Sequence, residues 1–266
     1  IALVMGVVNV TPDSFSDGRR WLRPEDAVAH ACAMAEEGAD LLDLGAESTR
    51  TGAPRVSAEE EIDRLVPVLD QLTGRVEIHI SIDTSKPEVA RRALELGAVV
   101  LNDITGLRLH DAEGQPVMAR LAAEKNASLV VMHMLGEPAT MQQDPRYDDV
   151  VRVVGDYLEA AAEAAIACGV SGDRIAIDPG IGLGKNLEHN LALLRSIDRL
   201  AARGYPVLIG ASRKSLFGKL LGLAVDERLE ASLAAAVAAL LRGARILRVH
   251  DVGPTVRALR MAETLI

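Results

Sequence analysis

Aromatic side chains are nearly missing from this chain, which has one Trp, three Tyr and two Phe among 266 residues. A stacking platform for nucleic-acid bases needs more than that. An excess of basic residues is missing too: 29 Lys and Arg stand against 38 Asp and Glu, a net charge of −9. That balance works against adhesion to phosphate backbones or acidic membrane surfaces. No apolar run comes near the ~20 residues that span a bilayer, and the first ten residues hold neither a basic n-region nor a small-residue cleavage site. The expectation is a cytoplasmic protein without nucleic-acid or membrane partners. Cysteine is limited to Cys32 and Cys168, both in alanine-rich helical surroundings without CxxC spacing. They read as buried, reduced thiols rather than a disulfide framework or a zinc site. Linkers rich in Pro, Gly or Ser are also lacking, so residues 1–266 read as one domain.

What is present is a regular alternation. Short β-branched and leucine-rich runs at 3–8, 40–44, 78–82, 99–101, 128–132, 174–177, 207–209 and 246–249 have the character of strands. Between and after them lie helix-like segments at 24–37, 58–72, 87–96, 116–124, 149–168, 187–200, 229–242 and 255–263, several opened by the start signals Pro24, Ser57 and Pro87. An eightfold strand–helix alternation in about 250 residues specifies an α/β fold, a single (β/α)8 TIM barrel. A doubly wound open sheet would alternate too, but no GxGxxG follows the first strand.

In such a barrel the strand-to-helix loops gather at the carboxyl ends of the strands, where active sites lie. The residues closing the eight strands are Asn9, Asp43 with Glu47, Asp83, Asn102, His133, Asp178, Ser212, and Arg248 with His250. Every strand ends on a polar or ionisable group. Burying that many around one rim without a ligand costs a few kcal/mol for each unpaired group, so the ring reads as a site. Asn9, Asp83, Asn102 and Asp178 offer acceptors suited to the N–H donors of a heterocycle, while Lys214, Arg248 and His250 offer positive charge suited to a phosphate. Arg248 and His250 are two apart and so share one side of an extended strand. The stretch DPGIGLGK at 178–185 allows backbone to approach a ligand, although glycines serve equally in plain turns and this is no Walker sequence. After strand seven, Ser212 is the candidate N-cap of a helix whose free N–H groups would suit an anion. His133 reads equally as a ligand contact or as a satisfied rim histidine. Asp43 and Glu47 read as supports of the loop after the second strand.

These blocks occur together in one order: MGVVNVTPDSFSDG at 5–18, DLGAESTR at 43–50, SIDT at 81–84, NDITG at 102–106, DPGIGLGK at 178–185, SRKS at 212–215 and RVHD at 248–251. In this the chain resembles the dihydropteroate synthases of the pterin-binding barrel family over essentially its full length. The resemblance implies a transferase of folate biosynthesis. Such an enzyme condenses 6-hydroxymethyl-7,8-dihydropterin pyrophosphate with 4-aminobenzoate to give 7,8-dihydropteroate and pyrophosphate, with Mg²⁺ and as a homodimer. By position, the resemblance makes Asp83, Asn102, Asp178 and Lys214 the pterin pocket, and Thr49, Arg248 and His250 pyrophosphate contacts. It makes Asn9 the protein ligand to Mg²⁺, and Ser215 a contact to the 4-aminobenzoate carboxylate. Loops 11–18 and 48–55, the latter carrying Thr49 and Arg50, are similar to lids over the second substrate.

Two positions depart from the family pattern: Thr51 stands where a proline is usual, and Leu183 where a phenylalanine is usual. Both belong to the 4-aminobenzoate side, which implies altered sensitivity to sulfonamides, the competitors of that substrate. Two other classes remain open to the sequence. A methyltetrahydrofolate–corrinoid methyltransferase would share the barrel but has no pyrophosphate to hold, so 11–18, Arg248 and His250 speak against it. A non-catalytic pterin-binding paralogue is opposed by the intact Lys214, Arg248 and His250.

Overall fold

The computed structural model describes residues 1–11, 23–48, 55–136 and 140–265. The strands are β1 (Leu3–Asn9), β2 (Leu41–Gly45), β3 (His79–Asp83), β4 (Val100–Asp103), β5 (Ser128–Met132), β6 (Ile175–Asp178), β7 (Leu208–Ile209) and β8 (Ile246–Val249). Helices α1 (Pro24–Glu36), α2 (Ala58–Leu72), α3 (Pro87–Glu95), α4 (Val117–Glu124) and α5 (Val150–Ala167) follow β1 to β5 in turn. A pair, α6 (Leu187–Arg195) and α7 (Ile197–Ala201), follows β6. A second pair, α8 (Ser215–Leu221) and α9 (Leu229–Leu241), follows β7, and α10 (Val252–Glu263) closes the chain.

All strands run parallel in the order β6-β5-β4-β3-β2-β1-β8-β7. A single parallel bridge, Ile177 to Val207, joins the two ends of that sheet and makes it a barrel. The expected eightfold barrel is therefore what forms. Helix starts follow local chemistry: the Ser57 and Asp149 side chains accept from Glu60 and Arg152 backbone N–H groups, and Asn186 makes a reciprocal cap with His189.

Three details differ from the sequence expectation. The segment 187–200 breaks at Ser196, which ends α6 and opens α7. The last helix begins at Val252, because Pro254 falls in its first turn, where no intrahelical N–H is needed. Cys32 and Cys168 are free thiols but half-buried rather than buried.

Two apolar layers hold the barrel. The larger lies between strands and helices and includes Leu42, Leu44, Ile82, Leu101, Leu129 and Leu247. The smaller plugs the interior: Met5, Leu41, Val130, Ala176 and Leu208, with Val100 and Ile246 against them. Side chains two apart on a strand share a face, so the residues two beyond the plug also look inward. They are Asp43 after Leu41, Asn102 after Val100, Met132 after Val130, Asp178 after Ala176 and Arg248 after Ile246. Strand periodicity thus lifts a polar ring directly onto an apolar floor.

Candidate active site

Asp43 is fully buried, and its Oδ2 accepts from Arg248 Nε at 2.5 Å and from Asn102 Nδ2 at 3.0 Å. Arg248 Nη2 donates in turn to Asp83 Oδ2 at 2.6 Å. Four strands therefore meet in one ionic network, and among the described residues the partners of Asp43 are Asn102 and Arg248. Glu47 does take that supporting role: its Oε1 accepts from Val56 N at 3.1 Å and its Oε2 from Lys86 Nζ at 2.5 Å. Lys86 also reaches the buried Glu61 at 2.6 Å.

Burial raises the Asp83 carboxyl, with Asp43 and Glu61 pushing the same way against Arg248 and Lys214, to about 7. Burial would lower the proton affinity of Arg248, but Asp43 and Asp83 hold it above its ordinary value. Asp178, 6% exposed, is raised by burial, opposed by the Gly180 N–H that its Oδ1 accepts at 2.7 Å.

The glycine loop is a close backbone approach. A Cβ on Gly180, at φ +68°, would lie 2.0 Å from the carbonyl oxygen of His133. The Lys214 stem crosses Gly182, whose added Cβ would be 3.3 Å from Lys214 Cδ. Lys185, at the loop's end, is only 2% exposed. It donates to the carbonyls of Leu183 (2.9 Å) and His133 (3.2 Å) and lies 3.1 Å from His133 Nδ1. Burial lowers this lysine to about 7. His133 is a packed rim histidine, its ring edge-on to Tyr157 at 5.1 Å and held neutral by burial and Lys185, down to about 3.

After β7, Arg213 adopts φ +56°, a left-handed conformation uncommon outside glycine, and pairs with Asp251 at 2.5 and 2.9 Å. Lys214, not Ser212, is the N-cap of α8. Ser212 Oγ instead accepts from His250 N at 3.2 Å and sits 3.1 Å from His250 Nδ1. Burial, with Arg248 and Arg213 nearby, lowers His250 to about 4. As the site stands, its positive charge resides on Lys214 and Arg248, not on the imidazole. Ser215 is the exposed first residue of α8, and Asn9 is exposed at the carboxyl end of β1. Thr49, Arg50, Thr51 and most of loop 11–18 lie outside the described residues.

Leu183 is 8% exposed and packs with Met132, Met134, Met141 and Ile104. A thioether-rich apolar wall therefore stands beside the polar ring. The sequence reading placed Asp43 on the rim as a loop support and singled out Leu183, but it did not single out Lys185 or the methionines of this wall. Asp43 was legible as an inward position two beyond Leu41, whereas the burial of Lys185 had no sequence signal.

An acceptor-rich barrel mouth with cations on its β7–β8 side and an apolar wall defines a class. The model of the family "Pterin binding enzyme" matches residues 5–250, and the chain belongs to that family. Dihydropteroate synthase of Escherichia coli (strain K12) is 46% identical over 260 residues, 98% of this chain and 90% of that protein. The Yersinia pestis dihydropteroate synthase, solved with a sulfonamide drug complex, superposes with a TM-score of 0.92 at 41% identity, covering 99% and 94% of the two chains. The Xanthomonas albilineans dihydropteroate synthase, solved with 7,8-dihydropteroate, gives 0.88 at 43% identity, covering 99% and 93%. Within the pterin-binding enzymes, the particular group to which the chain is similar is thus the dihydropteroate synthases, which are transferases.

Proposed function

We propose that this chain condenses 6-hydroxymethyl-7,8-dihydropterin pyrophosphate with 4-aminobenzoate, releasing 7,8-dihydropteroate and pyrophosphate. The observation that carries the reading is an acceptor set, the buried Asn102 and Asp178 with the half-buried Asp83, whose two carboxylates lie within electrostatic reach of Lys214 and Arg248. The carboxylates and the Asn102 carboxamide match the amino and ring N–H groups of a pterin, and Lys214 serves its carbonyl. Arg248, His250 and Thr49 take the pyrophosphate; a bound anion raises the proton affinity of His250 and recruits it as a third cation. Ser215 takes the carboxylate of 4-aminobenzoate, and Arg50 is a further substrate-binding residue.

Charge builds in two places as the carbon–oxygen bond breaks. Arg248 and His250 stabilise the departing pyrophosphate, while Asp83 and Asp178 stabilise the cation left on the pterin methylene. The arylamine then attacks that carbon as a neutral nucleophile and loses its proton afterwards, so no side chain is required as general base.

Among the described residues no cluster of three His, Cys, Asp or Glu side chains could hold a metal ion. The exposed carboxamide of Asn9 is a hard oxygen donor at the mouth, which fits Mg²⁺, an ion that takes most of its ligands from phosphate and water. Bound there, Mg²⁺ would neutralise charge on the pyrophosphate.

A homodimer is the proposed assembly, supported by the exposed Leu220, Leu221, Val225 and Leu241 between α8 and the end of α9. The proposed compartment is the cytoplasm; no described helix is long and apolar enough to cross a membrane. The test is product formation from the two synthetic substrates, with and without chelation of divalent metal. Absence of dihydropteroate refutes the reading, and equal turnover after complete chelation refutes the metal.

A further inference from the structure

Three buried polar atoms at the barrel mouth have no hydrogen-bond partner among the described residues: Asp43 Oδ1, Ser81 Oγ and Asn102 Oδ1. They come from the adjacent strands β2, β3 and β4, with Asp43 and Ser81 opposite one another in register. An ionised carboxylate only accepts hydrogen bonds. The contact between Asn102 and Asp43 therefore requires the Asn102 amide nitrogen to face Asp43, and it leaves the carboxamide oxygen for something else. The same Asp43 oxygen also takes the Nε of Arg248, whose Nη2 is on Asp83. One oxygen atom thus orients two residues that the proposed function gives to the substrate.

We propose that Asp43 is a positioning residue for pterin recognition: by accepting from both Asn102 and Arg248 it fixes Asn102 as an acceptor for the N–H donors of the heterocycle and aligns the guanidinium. The inference rests on the proposed substrate, and it extends the reading to a residue two layers of contact away from the reacting carbon. Buried polar groups are hydrogen-bonded as a rule, so the carboxamide oxygen of Asn102, which only accepts, calls for donors. A ligand edge carrying amino and ring N–H groups supplies them, and an anion does not.

Two substitutions separate positioning from packing. In Asp43→Asn the amide oxygen can still accept from Asn102 and Arg248, but the negative charge is gone. In Asp43→Ala both bonds are lost and the Asn102 carboxamide is free to turn. The expected result is that Asp43→Ala raises the KM for the pterin substrate about tenfold or more, the size of one buried hydrogen bond. The KM for 4-aminobenzoate stays unchanged, and Asp43→Asn restores most of the pterin KM. A second readout is the pH midpoint of pterin binding by calorimetry. Asp83 is faced by Arg248 from β8, Asp43 from β2, Glu61 from α2 and Lys214 from the loop after β7. Removing the Asp43 charge moves that midpoint to lower pH.

Wild-type turnover in the same assay guards the functional reading: if it is absent, that reading falls and takes this one with it. If wild type is active, two results overturn the positioning role alone. One is an Asp43→Ala protein that melts earlier yet keeps its pterin KM; the other is an Asp43→Asn protein as impaired as Asp43→Ala. Should Asp43→Ala fail to fold, Asp43→Asn decides by itself: retained affinity with a lowered midpoint supports the role, and an unmoved midpoint refutes it.

Discussion

Gly180→Ala should damage both the barrel and its pterin pocket, and the size of the damage can be worked from the backbone. Gly180 has φ +68°, where an L-residue costs about 1–2 kcal/mol. An added Cβ would lie 2.0 Å from the His133 carbonyl oxygen, an ångström inside the 3.0 Å that such contacts keep. The obstacle is backbone, and it cannot rotate away. Loop and strand must separate, and the movement breaks the 2.7 Å hydrogen bond from Gly180 N–H to Asp178, a bond to a charged group that contributes about 1.5–3 kcal/mol. Together these give a loss of about 2.5–5 kcal/mol, or a melting temperature lower by roughly 10 °C for a domain of this size. Gly204→Ala is the control, since φ is +91° there but nothing lies within 4 Å of the added atom. It carries the conformational cost alone, about 1–2 kcal/mol. Scanning calorimetry gives the stabilities, and titration with a pterin gives the affinity. The reasoning is refuted if Gly180→Ala melts no earlier than Gly204→Ala and binds pterin as tightly as wild type.

Other outcomes follow from the same network. Asp178→Ala and Asp83→Ala should each weaken pterin binding by about 1–3 kcal/mol, because each leaves ring donors buried without an acceptor; unchanged calorimetric affinity in both would remove them from the pocket. With Asp83 raised from 3.8 to about 7, the folded state keeps a proton that the unfolded chain releases, so its contribution to stability is present below pH 3.8 and lost as pH rises through 7. Pterin affinity runs the opposite way, rising with pH as the carboxylate forms, and Asp83→Asn should flatten both slopes in melting and binding series. Finally, Leu183 packs among three methionines at a position where the family resemblance implies a flat aromatic ring, so the chain should be less sulfonamide-sensitive than a protein with Pro and Phe at the two departing positions. Inhibition constants for wild type and the Thr51→Pro/Leu183→Phe variant check this, and equal values would make both departures neutral.

The barrel was legible because its two periods are simple. A run such as Leu129 to Met132 is apolar on both faces, as strands buried on both sides must be, and Ser57 and Pro87 mark helix starts by local chemistry. The rim was legible for the same reason: Asp83, Asn102 and Asp178 are the last residues, or the last but one, of their strands. What escaped depends on contacts between distant segments. Asp43 lies 205 residues from the arginine it binds, and nothing local distinguishes a carboxylate that steadies a loop from one that anchors a guanidinium. The neutrality of His250 is likewise set by its burial, with Arg248 and Arg213 beside it. The break at Ser196 and the two-residue length of β7 reflect packing that no short pattern encodes.

The single bridge between β6 and β7 has a bearing on how the site opens. Every other neighbouring pair of strands is tied by at least two successive register pairs, whereas here Ile177 and Val207 stand alone. That place is the slack point of the hoop. Asp178 follows Ile177 directly on one bank, while Ser212 and Lys214 leave from the end of β7 on the other. A small separation along this line would widen the gap between the acceptor that reads a heterocycle and the cation that faces it, without disturbing the Asp43, Asn102 and Arg248 network across the barrel. Amide exchange should therefore be fastest among the strands at Ile177 and Val207, and a ligand gripping both banks should slow it there first, acting as the clasp that the sheet itself supplies only once.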